Sequence, residues 1–142
     1  MVTYGTAAQH ADWLAPMVTG DALGAFCLTE PSGGSDAAAL RTLAVRLGAD
    51  GAELAAGATV DDVAAYRLHG TKIWISNAPE ADRYLVFATV DPGKGPKGIT
   101  AFLVEKGTPG FTFGAHEKKM GIRACPAAEL IFDGAVIPAS RR

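Results

Sequence analysis

Short apolar runs separated by glycine, proline and small polar residues make up most of the chain from residue 25 onwards. Residues 40–47 alternate, with Leu43, Val45 and Leu47 on one side, which is typical of a half-buried strand. The remaining runs have no helical period and predict strands over residues 25–29, 66–69, 71–76, 84–90, 99–104, 111–114, 129–132 and 136–137. Many short strands without the strand–helix alternation of a parallel sheet predict a mainly β fold, an antiparallel β-sandwich or barrel.

The first 24 residues follow a different pattern, which predicts a short helical segment. Thr6 and Gln9 have the spacing of a capping box, in which each side chain accepts a hydrogen bond from the backbone N–H of the other. Pro16 is expected to end the first turns and to restart the helix at its own fixed φ, and Gly20 to end it in the left-handed conformation. A short N-terminal helical segment therefore precedes the β-rich part.

The composition is that of a soluble globular domain and excludes several classes of function. The 142 residues are 49% hydrophobic and 20% charged, and the net charge of −2 gives no basic surface for nucleic acid or anionic lipid. No apolar run approaches the roughly 20 residues of a membrane span, and no signal peptide begins the chain. Cys27 and Cys125 form no CxxC pair and the histidines have no metal-ligand spacing, so we expect free thiols, no metal site and a cytoplasmic protein.

Two stretches of the sequence carry the candidate chemistry. An apolar run ends at Thr29, and the glycines and small hydroxyls of residues 30–36 can direct backbone N–H groups towards an anion such as a pyrophosphate. Residues 70–77 then combine a tryptophan with small hydroxyls and an amide. Glu30 and Asp36 could act as an acid–base pair, but we favour the interpretation that they cap the turn through backbone N–H groups. A non-catalytic β-domain that binds a nucleotide or a protein partner is the alternative to a cofactor site.

These stretches resemble the acyl-CoA dehydrogenase family. Leu-Thr-Glu-Pro-Ser-Gly-Gly-Ser-Asp at residues 28–36 is similar to that family's L-T-E-P-x-A-G-S-D, and Gly-Thr-Lys-Ile-Trp-Ile-Ser-Asn at residues 70–77 to its N-G-x-K-x-W-I-T-N. Four further matches follow in the family's order, at residues 98–105, 108–111, 119–123 and 130–138. The resemblance implies the end of an N-terminal helical domain over residues 1–24 and the family's middle β-domain over residues 25–142.

One segment of the chain departs from the family's pattern. Residues 48–65 are longer than the usual hairpin loop and rich in alanine, glycine and aspartate. We interpret them as a surface insertion, in which Thr59 starts a single helical turn.

The resemblance implies that the middle domain holds the flavin ring of FAD. The backbone N–H groups of Leu28 and Thr29, with the Thr29 hydroxyl, would bond the pyrimidine edge of the flavin, where hydride transfer to N5 leaves negative charge. Trp74 would pack along the ring, and the Ser76 hydroxyl would bond N5. Phe26 stands where the family often has an aromatic residue near the cofactor.

The same resemblance extends the site to the pyrophosphate and the substrate. Gly34 and Ser35 would face the FAD pyrophosphate, and Ser35 would also lie near the pantetheine arm of an acyl-CoA thioester. The implied reaction is α,β-dehydrogenation of that thioester. Its base is a glutamate in the family's C-terminal helical domain, and no residue up to Arg142 matches it. We therefore expect no catalytic residue here.

The chain is accordingly expected to be the flavin side of a longer enzyme. It would need the missing helical domains or a complementary subunit, and the full-length protein would be a homo-oligomer. A related acyl-CoA oxidase or flavin monooxygenase with the same scaffold is a further alternative within the flavin interpretation.

Overall fold

The computed structural model describes residues 1–55 and 58–142, and most of the regular structure in this part of the chain is strand. Two short α-helices, α1 (Ala7–Gln9) and α2 (Ala15–Thr19), are joined by a π-helical turn over His10–Leu14. Seven strands follow: β1 (Gly24–Cys27), β2 (Leu43–Leu47), β3 (Ala65–Ser76), β4 (Arg83–Thr89), β5 (Ile99–Glu105), β6 (Phe111–His116) and β7 (Ala127–Pro138). None of the described helices is long and apolar enough to cross a membrane.

The strands form one curled sheet in the order β1-β4-β2-β3-β7-β6, with β5 on the other edge of β4. This half-barrel confirms the prediction of a mainly β fold of the sandwich or barrel type. The sheet is mixed, however, because β1 and the start of β2 pair with β4 in parallel while the other pairs are antiparallel. The first motif begins directly after β1 and contacts β3, which carries the second motif, through a hydrogen bond from the Ile73 N–H to the Thr29 carbonyl.

Two of the predicted strand breaks do not occur. The runs at 66–69 and 71–76 form the single strand β3, and those at 129–132 and 136–137 form the single strand β7. The register shifts where Leu68 pairs with Ala135 and His69 with Asp133, which leaves Gly134 as an extra residue with a φ of 78°. A glycine in a β-bulge accommodates this conformation without steric cost, so both strands continue through the irregularity.

The concave face of the sheet holds the core. Its largest fully buried apolar side chains come from four strands and are Tyr66, Leu68, Tyr84, Val86, Phe102, Val104, Leu130 and Ile137. The rings of Tyr66 and Phe102 meet edge to face, with their centroids 4.9 Å apart. In β2 the small residue Ala44 is buried, and the larger side chains of Leu43 and Val45 are only half-buried.

The N-terminal segment packs against the sheet through Trp13, which is 5% exposed. The guanidinium groups of Arg83 and Arg141 lie 4.6 and 5.1 Å from the centroid of its ring. Gln9 Nε2 donates hydrogen bonds to the carbonyl oxygens of Ser140 (2.8 Å) and Arg142 (3.1 Å). The segment is therefore tied to β4 and to the last residues of the chain by cation–π contacts and hydrogen bonds.

The local predictions for the N-terminal helices are confirmed. Thr6 and Gln9 form the capping box, with N···O distances of 3.0 and 3.2 Å. Helix α2 restarts after the π-helical turn with Pro16 in its first turn, and Gly20 ends it at a φ of 84°. These local contacts were readable from sequence because each involves residues within a few positions of one another.

The predicted insertion at 48–65 contains the expected helical turn, Val60–Asp62. Thr59 stands at its N-cap, where the Asp62 carboxylate accepts hydrogen bonds from the Thr59 backbone N–H (2.9 Å) and hydroxyl (2.8 Å). Residues 56–57 of the predicted insertion lie outside the described residues. Arg67 of β3 also pairs with Glu53 at 3.0 Å, which ties the earlier part of the segment to the sheet.

Candidate functional site

A groove of about 600 Å³ lies between the turn after β1 and the middle of β3. Its walls are Thr29, Glu30, Pro31, Ser32, Gly33, Gly34, Ser35, Ile73 and Trp74. The two sides are joined because the Ile73 N–H donates to the Thr29 carbonyl at 2.9 Å. The fold thus brings together four of the residues singled out by sequence: Thr29, Gly34, Ser35 and Trp74.

The turn at residues 30–36 is folded back tightly on the end of β1. Glu30 and Gly33 exchange two backbone hydrogen bonds of 2.9 and 3.0 Å, and Asp36 caps the following turn through the Ala38 N–H at 3.1 Å. A Cβ atom at Gly34 would lie only 3.1 Å from the Thr29 Cγ2 methyl, so a side chain there would crowd the groove. The predicted capping role of Asp36 is confirmed, and small residues keep the backbone of the turn accessible.

The groove and the adjacent residue Leu28 carry hydrogen-bond donors that the described part of the protein does not use. Within residues 1–55 and 58–142, the backbone N–H groups of Leu28, Thr29, Gly34 and Ser35 donate to no protein acceptor. The hydroxyls of Thr29 and Ser35 have no hydrogen-bond partner in that part of the chain either. Consecutive N–H groups of this kind are the usual means by which a turn binds an anion or an electron-rich ring edge.

Trp74 presents its ring at the surface from an unusual backbone conformation. Its side chain is 65% exposed, and its φ of 55° lies in the left-handed region that bulky residues rarely adopt. The cause is a break in the β3–β7 register between Lys72 and Ile75, which leaves Trp74 inside a bulge. Bulges redirect side chains next to functional sites, and strain of this kind persists only where the surrounding structure imposes it.

The other predicted site residues lie outside the walls of this groove. Ser76 is exposed, two positions beyond Trp74 on β3, and pairs with Ala127 of β7. Phe26 is 60% exposed, contacts the ring of Phe87 at 5.0 Å and lines a second, apolar groove of about 660 Å³ on the outer face of the sheet. Leu28 is among the walls of neither groove, and its carbonyl accepts a hydrogen bond from the buried Lys72.

A buried ion pair lies directly beneath the groove, and sequence reasoning missed one of its members. Lys72 Nζ donates to Glu30 Oε1 at 2.7 Å, and the two side chains are 0% and 3% exposed. Lys72 Nζ also donates to the Leu28 carbonyl at 3.1 Å. The sequence did contain an indication that Lys72 is buried, because strand alternation places it on the same face of β3 as Tyr66 and Leu68. A lysine on a buried face requires a partner for its charge.

Glu30 is fully engaged within the protein. Its carboxylate accepts hydrogen bonds from the backbone N–H groups of Arg41 (2.7 Å) and Thr42 (3.0 Å), from the Thr42 hydroxyl and from Lys72. The prediction that Glu30 caps backbone N–H groups is therefore confirmed. These contacts also shorten the predicted strand at 40–47, which begins only at Leu43, since the N–H groups of residues 41 and 42 bind a carboxylate instead of a neighbouring strand.

The ionisation of the buried groups follows from these contacts. Burial by itself raises the pKa of Glu30, but hydrogen bonds from Lys72, Thr42 and Arg41 outweigh it and hold that pKa below its usual value. Burial also lowers the pKa of Lys72, against the attraction of Glu30. Desolvation of the Cys27 thiol raises its pKa to about 12, so this free cysteine is unreactive at neutral pH.

The lowered pKa of Glu30 predicts a pH dependence of stability. Because the folded protein binds this proton less readily than the unfolded chain, the contribution of Glu30 is complete above its ordinary pKa of 4.5 and is lost as the pH falls below that value. Urea unfolding at a series of pH values from about 3 to 6 should show a smaller acid-induced loss of stability in Glu30→Gln than in the wild type. Equal slopes for the two proteins would contradict the assignment.

Comparison with known proteins gives one consistent result. Residues 25–135 match the family described as "Acyl-CoA dehydrogenase, middle domain". A short-chain specific acyl-CoA dehydrogenase of Megasphaera elsdenii is 46% identical over 136 residues, which are 96% of this chain and 32% of that protein.

Solved structures agree with the sequence comparison. Butyryl-CoA dehydrogenase from Megasphaera elsdenii has a TM-score of 0.84 and 45% identity, over 98% of this chain and 33% of that one. Glutaryl-CoA dehydrogenase from Mycobacterium smegmatis in complex with FADH2 has a TM-score of 0.77 and 38% identity, over 97% of this chain and 31% of that one. The chain thus spans about a third of the length of the relatives that it matches.

Proposed function

Because the chain belongs to the acyl-CoA dehydrogenase family, whose middle domain it matches over residues 25–135, we propose that it forms the flavin-binding side of an FAD-dependent acyl-CoA dehydrogenase. The observation that carries the proposal is the groove between the turn after β1 and β3. Within the described residues, the backbone N–H of Thr29 in its wall and that of the adjacent Leu28 have no protein acceptor, and the Trp74 ring is exposed. Such a site suits a flat, electron-rich heterocycle better than a simple anion.

The residues present fit FAD. Bound there, FAD would supply a hydride acceptor for dehydrogenation of an acyl-CoA thioester. The amides of Leu28 and Thr29 and the Thr29 hydroxyl would hold the pyrimidine edge of the flavin, and Trp74 would cover its ring. Ser76, two residues further along β3, would offer its hydroxyl to N5.

The phosphate part of the cofactor has its own candidate residues. The amides of Gly34 and Ser35 would face the pyrophosphate, and the crowding that a Cβ atom would cause at Gly34 supports a close approach of ligand to backbone there. Ser35 would also contact the pantetheine arm of the substrate. Phe26 would border the cofactor from the outer face of the sheet, beside Phe87.

We assign the catalytic base to no residue of this chain. The buried Glu30 carboxylate accepts five hydrogen bonds, including one from the Ser32 hydroxyl, and is held ionised, so it is unsuited to proton abstraction from a bound substrate. We propose that the base comes from a helical domain that lies outside the matched third of the relatives, in the same polypeptide or in a complementary subunit. The complete enzyme would then be a cytoplasmic homo-oligomer.

The binding of nucleotides by the purified chain tests this proposal. Isothermal titration with FAD, coenzyme A and ADP should give saturable binding of FAD, and FAD should bind more tightly than ADP because the flavin ring adds contacts at Thr29 and Trp74. Binding of coenzyme A or ADP without any response to FAD would contradict the proposal and favour a non-catalytic, nucleotide-binding β-domain.

Thr29→Val is expected to weaken FAD binding while leaving folding almost unchanged. Valine retains the shape of threonine but removes a hydroxyl that has no protein partner in the described chain, and loss of one hydrogen bond weakens binding by about 2- to 10-fold. Thr112→Val, on the exposed face of β6, serves as the matched control. Equal losses of FAD affinity in the two variants would show that the hydroxyl of Thr29 does not contact the cofactor.

Trp74→Ala should likewise separate binding from stability. The ring is 65% exposed, so its removal should change the free energy of unfolding by less than about 1 kcal/mol. Loss of ring stacking should weaken FAD binding by about 5- to 100-fold. The dissociation constants of FAD for the wild type and for Trp74→Ala are measured by fluorescence titration. A large loss of stability with unchanged FAD affinity would assign Trp74 a structural role instead.

A further inference from the structure

The peptide between Leu28 and Thr29 is held from the interior side of the site. Its carbonyl accepts a hydrogen bond from Lys72 Nζ at 3.1 Å. In a planar trans peptide the C=O and the following N–H point in opposite directions. A contact that fixes the Leu28 carbonyl towards the interior therefore also directs the Thr29 N–H away from Lys72 and out of the core.

Lys72 itself has little freedom. Its ammonium group is completely buried and is held at 2.7 Å by Glu30, which is in turn held by the backbone N–H groups of Arg41 and Thr42 and by the Thr42 hydroxyl. Both charged side chains are buried, and neither has a part in the chemistry described above. The arrangement is more than a local salt bridge, because it connects residues 28–30 to the residues directly before β2 and to β3.

We propose that Lys72 is a positioning residue, which both orients and polarises the Thr29 amide for the flavin edge. This inference rests on the proposed FAD site. A charged donor on the Leu28 carbonyl draws electron density through the peptide and strengthens the Thr29 N–H as a donor, as occurs along chains of hydrogen bonds in a low-dielectric interior.

The direction of the effect follows from the charge of the ligand. The pyrimidine edge of the flavin gains negative charge on reduction, so a polarised N–H stabilises reduced FAD more than oxidised FAD. Lys72 thus makes bound flavin easier to reduce, from a position without contact to the cofactor. Glu30 acts one step further away, by fixing the ammonium group.

The test compares two variants that both lack the ion pair. Glu30→Gln removes the negative charge but leaves the Lys72 amine to donate to the Leu28 carbonyl, whereas Glu30→Gln combined with Lys72→Met removes that donor as well. Neither variant contains an unpaired carboxylate, so the double variant is expected to fold. Dissociation constants are measured for oxidised FAD and for dithionite-reduced FAD, with Lys97→Met, an exposed lysine, as the control.

Relative to Glu30→Gln, the double variant should bind reduced FAD about tenfold more weakly, while its affinity for oxidised FAD should change by no more than about twofold. A tenfold difference between the two redox states equals about 30 mV in reduction potential. Equal losses for the two redox states would overturn polarisation by Lys72, and no loss for either state would overturn the whole proposal.

A second measurement, made without flavin, separates this inference from the proposed function. The ¹⁵N resonance of an amide responds to hydrogen bonding at the carbonyl that precedes it, so the Thr29 signal should differ between the two variants while that of Thr112 should not. If the wild-type chain binds no FAD, the proposed function fails. The Thr29 signal then decides the positioning role: a shift supports it, and an unchanged signal overturns it.

Discussion

Lys72→Met is expected to lower the free energy of unfolding by about 3–5 kcal/mol. The substitution leaves the Glu30 carboxylate in the interior without its counter-ion, and it removes the donor that satisfies the Leu28 carbonyl. Removal of both charges from water offsets much of their attraction, so an intact buried pair contributes little net stability. The large cost therefore comes from breaking the pair, not from the strength of the pair.

Urea unfolding monitored by circular dichroism measures this cost. Lys97→Met makes the same substitution at an exposed position and should change the free energy of unfolding by no more than about 0.5 kcal/mol. Adding Glu30→Gln to Lys72→Met should restore part of the lost stability, because the remaining side chain is neutral. A loss below about 1 kcal/mol in Lys72→Met would show that the pair is solvated in solution.

Phe102→Ala is expected to cost about 3–5 kcal/mol. The ring is completely buried in the concave face of the sheet and meets Tyr66 edge to face, so its removal loses apolar contacts and leaves a cavity. Phe26→Ala is the matched control, since this ring is 60% exposed on the outer face. Its substitution should cost about 1 kcal/mol or less.

The two phenylalanine variants together test which face of the sheet is the core. The comparison is made by thermal and urea unfolding of the same chain. Similar losses in both variants would mean that the outer face around Phe26 is covered in solution, for instance by association of two chains. A larger loss in Phe26→Ala than in Phe102→Ala would contradict the described packing.

Local contacts and side-chain alternation explain most of what could be predicted of the fold. The Thr6 capping box, the Gly20 helix end and the Thr59 turn each depend on residues a few positions apart. The strands were predictable because alternation reports which side chains face inward. Alternation does not identify the partner of a strand, and for that reason the parallel pairing of β1 with β4 was not foreseen.

Breaks and bulges in the strands were harder to predict. Gly70 and Gly134 interrupt the apolar runs of β3 and β7, yet both strands continue. Gly70 pairs with Phe132, and Gly134 absorbs a shift in register as the extra residue of a bulge. Whether a glycine ends a strand or sits within a bulge depends on the strand across from it. That information comes from tertiary pairing and is absent from the local sequence.

In the candidate site, too, local features could be predicted from sequence, whereas features that depend on tertiary pairing could not. The motifs marked Thr29, Gly34, Ser35 and Trp74, and the fold gathers these four around one groove. The left-handed backbone of Trp74 could not be read from sequence, because it arises from the bulge against β7. Lys72 was overlooked for a related reason: its importance depends on Glu30, which is 42 residues away in the chain and adjacent in space.

We propose that the turn after β1 and the bulge in β3 form one flavin-binding face. The decisive experiment is titration of the ¹⁵N-labelled chain with FAD, followed residue by residue by NMR. The amides of Leu28, Thr29, Gly34 and Ser35 and the indole N–H of Trp74 should shift together along one binding curve. Saturable shifts confined to other surfaces, such as residues 116–123, or no shifts at all with FAD, would contradict it.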